Sequence, residues 1–176
     1  MLSNFDSQTV HRAKSLENHS FGVILGDQLG SGGQGHVYSG TLVDLPTNNQ
    51  SHQYLRDSPH GNKGGNKNVA VKFFNSKNLF DDEVPYLEKL HDRENCLQLL
   101  GILDDLDGIV MEYYSGGDFS KPKVPKEIVL KQIVHSVNGV IMGLHSMKVA
   151  GVVNTDLHSG NILLSENNLS ENNNSN

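Results

Sequence analysis

The chain has 176 residues, 36% of them apolar, and its 14 lysines and arginines against 20 acids leave a formal net charge of −6. That length suits one domain, or one large lobe with part of another, around a core of ordinary size. The acidic balance excludes a dominant nucleic-acid or membrane-surface role, because neutralising phosphates takes a basic face and no lysine or arginine cluster of that size occurs.

Residues 1–20 are polar and aperiodic and read as a leader. "FGVILGDQLG" is a short apolar run closed by a glycine turn, and "GHVYSGTLV" alternates, with Val37, Ser39 and Thr41 on one side and Tyr38, Gly40 and Leu42 on the other. These predict two strands joined by a glycine-rich turn. Residues 44–68 hold Asn, Gly, Ser, His and Pro with almost nothing apolar, the composition of a flexible insertion that cannot offset its ordering entropy. "VAVKFF" is a β-branched and aromatic strand. Phe80, Val84, Leu87 and Leu90 follow helical spacing, but an interior proline removes a helix hydrogen bond, so the helix is expected to begin near Glu83 with Pro85 in its first turn. "CLQLLGIL" and "DGIVMEYY" read as two more strands joined through "DDLD", and "SGGD" as a turn. From Pro125 onward Leu130, Ile133, Val134, Val137, Val140, Ile141 and Leu144 recur at steps of three and four, which predicts a long helix. Residues 165–176 are Asn- and Ser-rich, low in complexity and expected to be disordered.

Gly30, Gly32 and Gly35 form a G-x-G-x-x-G, which alone suits dinucleotide sites, phosphate loops and plain turns. A dinucleotide fingerprint must open a helix, yet the residues after Gly35 alternate like a strand and include β-branched Val37 and Thr41. A hairpin tipped with glycine can instead fold over phosphates, since its amides reach the oxygens where no Cβ intervenes. Three further segments follow in order. "VAVK" puts Lys72 on a strand, "EVPYLEKL" offers Glu83 and Glu88 on a helix, and "NTDLHSGNILL" has Asp156 and then Asn161. A polar turn would account for the last segment equally well, with "VV" and "ILL" pairing around it as a hairpin.

Together these segments resemble the amino-terminal two-thirds of a eukaryotic-type protein kinase domain, from about Phe21 to Leu164. The resemblance implies an α+β fold: a protein-kinase-like N-terminal lobe over 21–115, made of an antiparallel sheet plus one helix, then a truncated helical C-terminal lobe over 116–164. It also implies ATP and Mg²⁺. Leu29, Gly30, Gly32, Gly33, Gly35 and Val37 would cover the nucleotide, Ala70 would line it, and Lys72 would attract its phosphates. Glu83 would hold Lys72, since it shares the buried helix face with Leu87 and Leu90 while Glu88 is offset toward solvent. Met111 would sit behind adenine, the backbones of Glu112 and Tyr114 would pair with its edge, and Asp118 would reach a ribose hydroxyl. Asp156 would be the base for the attacking hydroxyl, and Asn161 would offer a neutral oxygen to Mg²⁺.

The pattern also departs from the family. His-Arg-Asp stands here as Asn154, Thr155, Asp156, which removes the arginine that meets a phosphorylated activation segment. No aspartate follows Asp156 to serve as the metal ligand of Asp-Phe-Gly, and Glu166 and Glu171 are the only acids beyond it. The resemblance therefore implies an ATP-binding protein whose phosphoryl transfer, if retained, is impaired and directed to a protein serine or threonine hydroxyl. The lysine that favours such acceptors is replaced by His158. A pseudokinase or interaction module, docking a protein substrate or partner on its exposed C-lobe helix, is the alternative. A small-molecule kinase of the aminoglycoside or choline phosphotransferase type, which "DLHSGNIL" also resembles, fits the complete glycine loop less well. The single cysteine, Cys96, excludes an internal disulfide framework, and neither an export signal nor a run of ~20 apolar residues is visible, so a cytoplasmic setting is the default expectation.

Overall fold

In the computed structural model the described residues are 9–43, 45, 67–123, 125–131 and 133–165. The insertion expected at 44–68 lies outside them but for its ends, as do the first eight residues of the leader and the tail beyond Ser165. The chain forms two compact units, one running through Glu88 and resuming over Leu97–Tyr113, the other made of Lys89–Cys96 and the residues from Tyr114 onward.

The first unit is an antiparallel sheet of six strands: β1 (Val10–Lys14), β2 (Ser20–Gly32), β3 (Gly35–Val43), β4 (Asn68–Phe74), β5 (Leu99–Leu103) and β6 (Gly108–Glu112). Their spatial order is β1-β2-β3-β4-β6-β5, and pairing of β1 with β5 closes the sheet. Strand periodicity sorts the side chains into two cores. Inside the curl, Phe21, Val23, Leu42, Val69, Val71, Phe73 and Val110 pack together. On the other face Ala70, Phe74, Leu99, Ile109 and Met111 meet Val84 and Leu87 of a helix, α1 (Lys77–Lys89), flanked by Leu79 and Phe80.

Two expectations are corrected here. The leader contributes β1, whose residues Val10–Lys14 pair with Ile24–Ser20 of β2. Within β1 only Ala13 is fully buried, so backbone pairing rather than an apolar face holds the strand, and no periodicity marks it. The helix starts six residues earlier than Glu83, at Lys77, leaving Pro85 in its interior. Ser76 caps the start through its hydroxyl, which accepts from the Leu79 N–H at 3.4 Å, and burial of Val84 and Leu87 offsets the bond that Pro85 cannot make.

The second unit holds a two-strand hairpin, β7 (Gly117–Asp118) with β8 (Lys121–Pro122), the helical segments α2 (Lys126–Lys131) and α3 (Ile133–Val149), and a 3-10 turn at Ser159–Asn161. Its core is small: Leu90, Cys96 and Val152, with Met147 and Ala150 against them. Gly143 lets α3 approach the Asn95 turn, since a Cβ there would lie 2.6 Å from the Asn95 carbonyl oxygen. The residues whose spacing marks the helix are largely exposed: Leu130, Ile133, Val137 and Ile141 face solvent, and Val134 is 70% exposed. "VV" and "ILL" do not form the hairpin considered for them, because Val152 enters the small core and Leu163 bridges to Asp118 instead. Among the described residues no helix is long and apolar enough to cross a membrane.

Candidate functional site

Strands β2 and β3 meet at their tip with Gly32 opposite Gly35, so Gly33 and Gln34 make the turn. Gly35 is required by packing, because a Cβ there would collide with the Phe73 carbonyl oxygen. Gly30, Gly32 and Gly33 are different. A Cβ at any of them meets nothing within 4 Å, and none has a positive φ, so neither sterics nor backbone conformation asks for glycine. Leu29 falls at the irregularity between the Gln28 and Gly30 pairings and is half-exposed.

Register carries the next residues onto one face of the sheet, in two neighbouring rows. Val37 lies opposite Lys72, and Ala70 pairs with Ser39 on one side and Met111 on the other, on the face that α1 packs against. The structure brings Lys72 and Glu83 together: Nζ donates to Oε1 at 2.7 Å and to Oε2 at 2.6 Å. Their side chains are 14% and 30% exposed, so the pair is only partly screened by water. Nζ also stands 4.5 Å from the centroid of the Phe74 ring. Glu88 is exposed and takes no part.

Met111, between Ala70 and Leu99, is buried on the same face. The N–H of Glu112 donates to the Gln98 carbonyl at 3.1 Å, so any adenine contact from its backbone falls to the carbonyl. Tyr114, in the second unit, accepts from the Gly117 N–H at 3.3 Å through its carbonyl. Asp118 is committed locally: its Oδ1 accepts from the N–H groups of Ser120 at 2.9 Å and Lys121 at 3.0 Å, and from the Ser120 hydroxyl. That hydroxyl bond, chiefly, holds the carboxyl below the usual carboxylate range. The turn's contribution is therefore present above that range and lost as pH falls through the lowered value.

The Asp156–Asn161 loop is tied to β7 by backbone bonds, Phe119 N–H to the Ile162 carbonyl at 2.8 Å and Leu164 N–H to the Gly117 carbonyl at 2.8 Å. Inside it, Asn161 Nδ2 donates to the Asp156 carbonyl at 3.0 Å and to its carboxylate Oδ2 at 3.2 Å. Asn154 accepts the Asp156 N–H at 2.9 Å, and His158 Nε2 stands 3.7 Å from Oδ2. Asn154 thus fixes the backbone at Asp156, and its sequence signal is an Asx side chain two residues before the aspartate. Because Asn161 uses its nitrogen on Asp156, its oxygen is the atom it can offer to a hard cation. One amide oxygen and one carboxylate do not complete a divalent-ion site, and the described residues contain no cluster of three acids, histidines or cysteines that could.

The sequence profile of the protein tyrosine and serine/threonine kinase family matches residues 23–171. Curated relatives include tyrosine-protein kinase Fer of Homo sapiens, 30% identical over 151 residues, and of Rattus norvegicus, 30% identical over 159 residues, covering 84% and 88% of this chain. A seven transmembrane domain-containing tyrosine-protein kinase of Dictyostelium discoideum is 28% identical over 83% of it. The chain spans 16%, 17% and 20% of the length of these relatives. With the six-stranded sheet, its packed helix and a profile match over most of its length, the chain belongs to the protein tyrosine and serine/threonine kinase family.

Proposed function

We propose that this domain binds ATP, with the β2–β3 tip and Lys72 on its phosphates, and that Asp156 accepts the proton of an attacking protein hydroxyl. The observation that carries the reading is the bare backbone at Gly30, Gly32 and Gly33, where the fold leaves open space at the end of a strand pair whose Val37 lies opposite Lys72. Amides there can approach phosphate oxygens, and a partly buried ammonium adds attraction that water screens less. Mg²⁺ would neutralise the transferring group, and the Asn161 side-chain oxygen is an atom that could meet it. The relatives are named tyrosine-protein kinases, and a tyrosine hydroxyl is therefore the acceptor we infer, in place of serine or threonine.

Gly32→Val tests the core of this reading. Apo stability should stay within about 0.5 kcal/mol of the parent, as for an unobstructed surface site, while ATP affinity by calorimetry falls at least about tenfold. An affinity unchanged by the valine, or a parent chain without an ATP-dependent thermal shift, would defeat it. Product blotting for phosphotyrosine against phosphoserine and phosphothreonine decides the acceptor.

The exposed apolar row of α2 and α3 favours a second reading, a protein-docking module. In that case a substrate or partner protein bound by the parent is released by Val134→Glu with Ile141→Glu and retained by Asp156→Asn. Release by Asp156→Asn alone would count against it.

A further inference from the structure

Asn75 sits between β4 and the start of α1 and reaches back to the hairpin tip. Its Nδ2 donates to the carbonyls of Gly33 at 2.9 Å and Gly32 at 3.2 Å, and its main-chain N–H donates to the carbonyl of Gln34 at 3.1 Å. Three successive carbonyls of the glycine-rich tip are thus drawn to one residue. In a trans peptide the C=O and N–H point in opposite directions, and no peptide here is cis. Turning the Gly32 and Gly33 carbonyls toward Asn75 therefore aims the Gly33 and Gln34 N–H groups away from it.

This sorting has an electrostatic consequence. A run of N–H groups presented on one side is an anion-binding concavity, whereas the same peptides flipped would offer carbonyl oxygens and repel a phosphate. A tip with three bare glycines in open space has little side-chain packing of its own to choose between the two orientations. We propose that Asn75 is a positioning residue that latches the tip with its carbonyls inward and its amides outward, in the arrangement that receives the phosphates of a nucleotide. The inference rests on the nucleotide reading above, and it adds a residue that lies outside the glycine motif, Lys72 and Glu83. Because Asn75 adjoins Ser76, which caps α1, the latch also fixes the tip to the start of the helix that carries Glu83.

The test uses Asn75→Ala and the isosteric Asn75→Asp, which keeps the shape but replaces the Nδ2 donor by a carboxylate oxygen. Two measurements are made on the whole chain: ¹⁵N relaxation of the Gly32–Gly35 amides without nucleotide, and affinities for ATP and for adenosine, which has no phosphates. Both variants should show a more mobile tip and about tenfold weaker ATP binding, with adenosine affinity and melting temperature unchanged. Unaltered relaxation at the tip overturns the latch whatever the affinities do. A mobile tip with an unaltered ratio of ATP to adenosine affinity overturns its role toward phosphate. If the parent chain binds neither ligand, the nucleotide reading falls, and the relaxation data still decide whether Asn75 holds the tip.

Discussion

Lys72→Met is expected to cut sharply the ATP-dependent rise in melting temperature at nucleotide concentrations that saturate the parent chain, while the sheet stays folded. Methionine keeps most of the stem that passes Phe74 and removes only the charge that bonds both oxygens of Glu83. A hydrogen bond to a charged group contributes roughly 1.5–3 kcal/mol, so losing the phosphate contact alone should weaken binding about ten- to a hundred-fold. Glu83 left without its ammonium is a further cost. At 30% exposure it can draw in water, so the apo chain should lose less than the ~3–5 kcal/mol seen when a fully buried pair is broken. Glu83→Gln in the Lys72→Met background should restore part of the apo stability without restoring ATP binding. An equal ATP-dependent shift in Lys72→Met and parent would remove Lys72 from the phosphate role.

What was legible in the sequence follows from which forces act locally. β2 to β6 announce themselves because each buries alternate residues, as Val69, Val71 and Phe73 do on one face of β4 while Ala70 and Phe74 serve the other. Glu83 could be preferred over Glu88 because a helix face is readable from the positions of Leu87 and Leu90. β1 is invisible to periodicity because a closing strand with one buried alanine has no apolar pattern, only backbone pairing with β2 and with the distant β5. Proline's local penalty points to a helix start near Glu83, whereas the Ser76 cap and the burial of Val84 and Leu87 carry the helix back to Lys77. The loop around Asp156 is legible as a motif but not as a structure, because its bonds to β7 join segments more than forty residues apart, as the bonds from Asn75 to the glycine tip also do. The departure at His158 alone does not encode which hydroxyl a domain of this family would take as acceptor.

The glycines of one motif should separate into two kinds under mutation, and Gly35→Ala is the sharper half of that contrast with Gly32→Val. The added methyl at Gly35 would meet the Phe73 carbonyl, which is backbone inside a ladder and not the end of a flexible side chain. Relief requires moving β3 from β4 where Gly35 pairs with Phe74 and His36 with Phe73. Phe73 is 4% exposed, and its ring packs edge-on to Tyr38 with centroids 5.8 Å apart, so a shift of its backbone also disturbs the inner core. Overpacking of this kind costs about 1–3 kcal/mol, and a backbone neighbour places Gly35→Ala toward the upper end. The next register pair is Val37 with Lys72, so the strand shift also displaces the ammonium, and ATP binding should fall together with the urea midpoint. Gly32→Val, by contrast, should lose binding with its midpoint unmoved. If Gly35→Ala unfolds at the parent's midpoint, β3 does not approach β4 this closely at its start, and the register that sets Val37 opposite Lys72 loses its anchor.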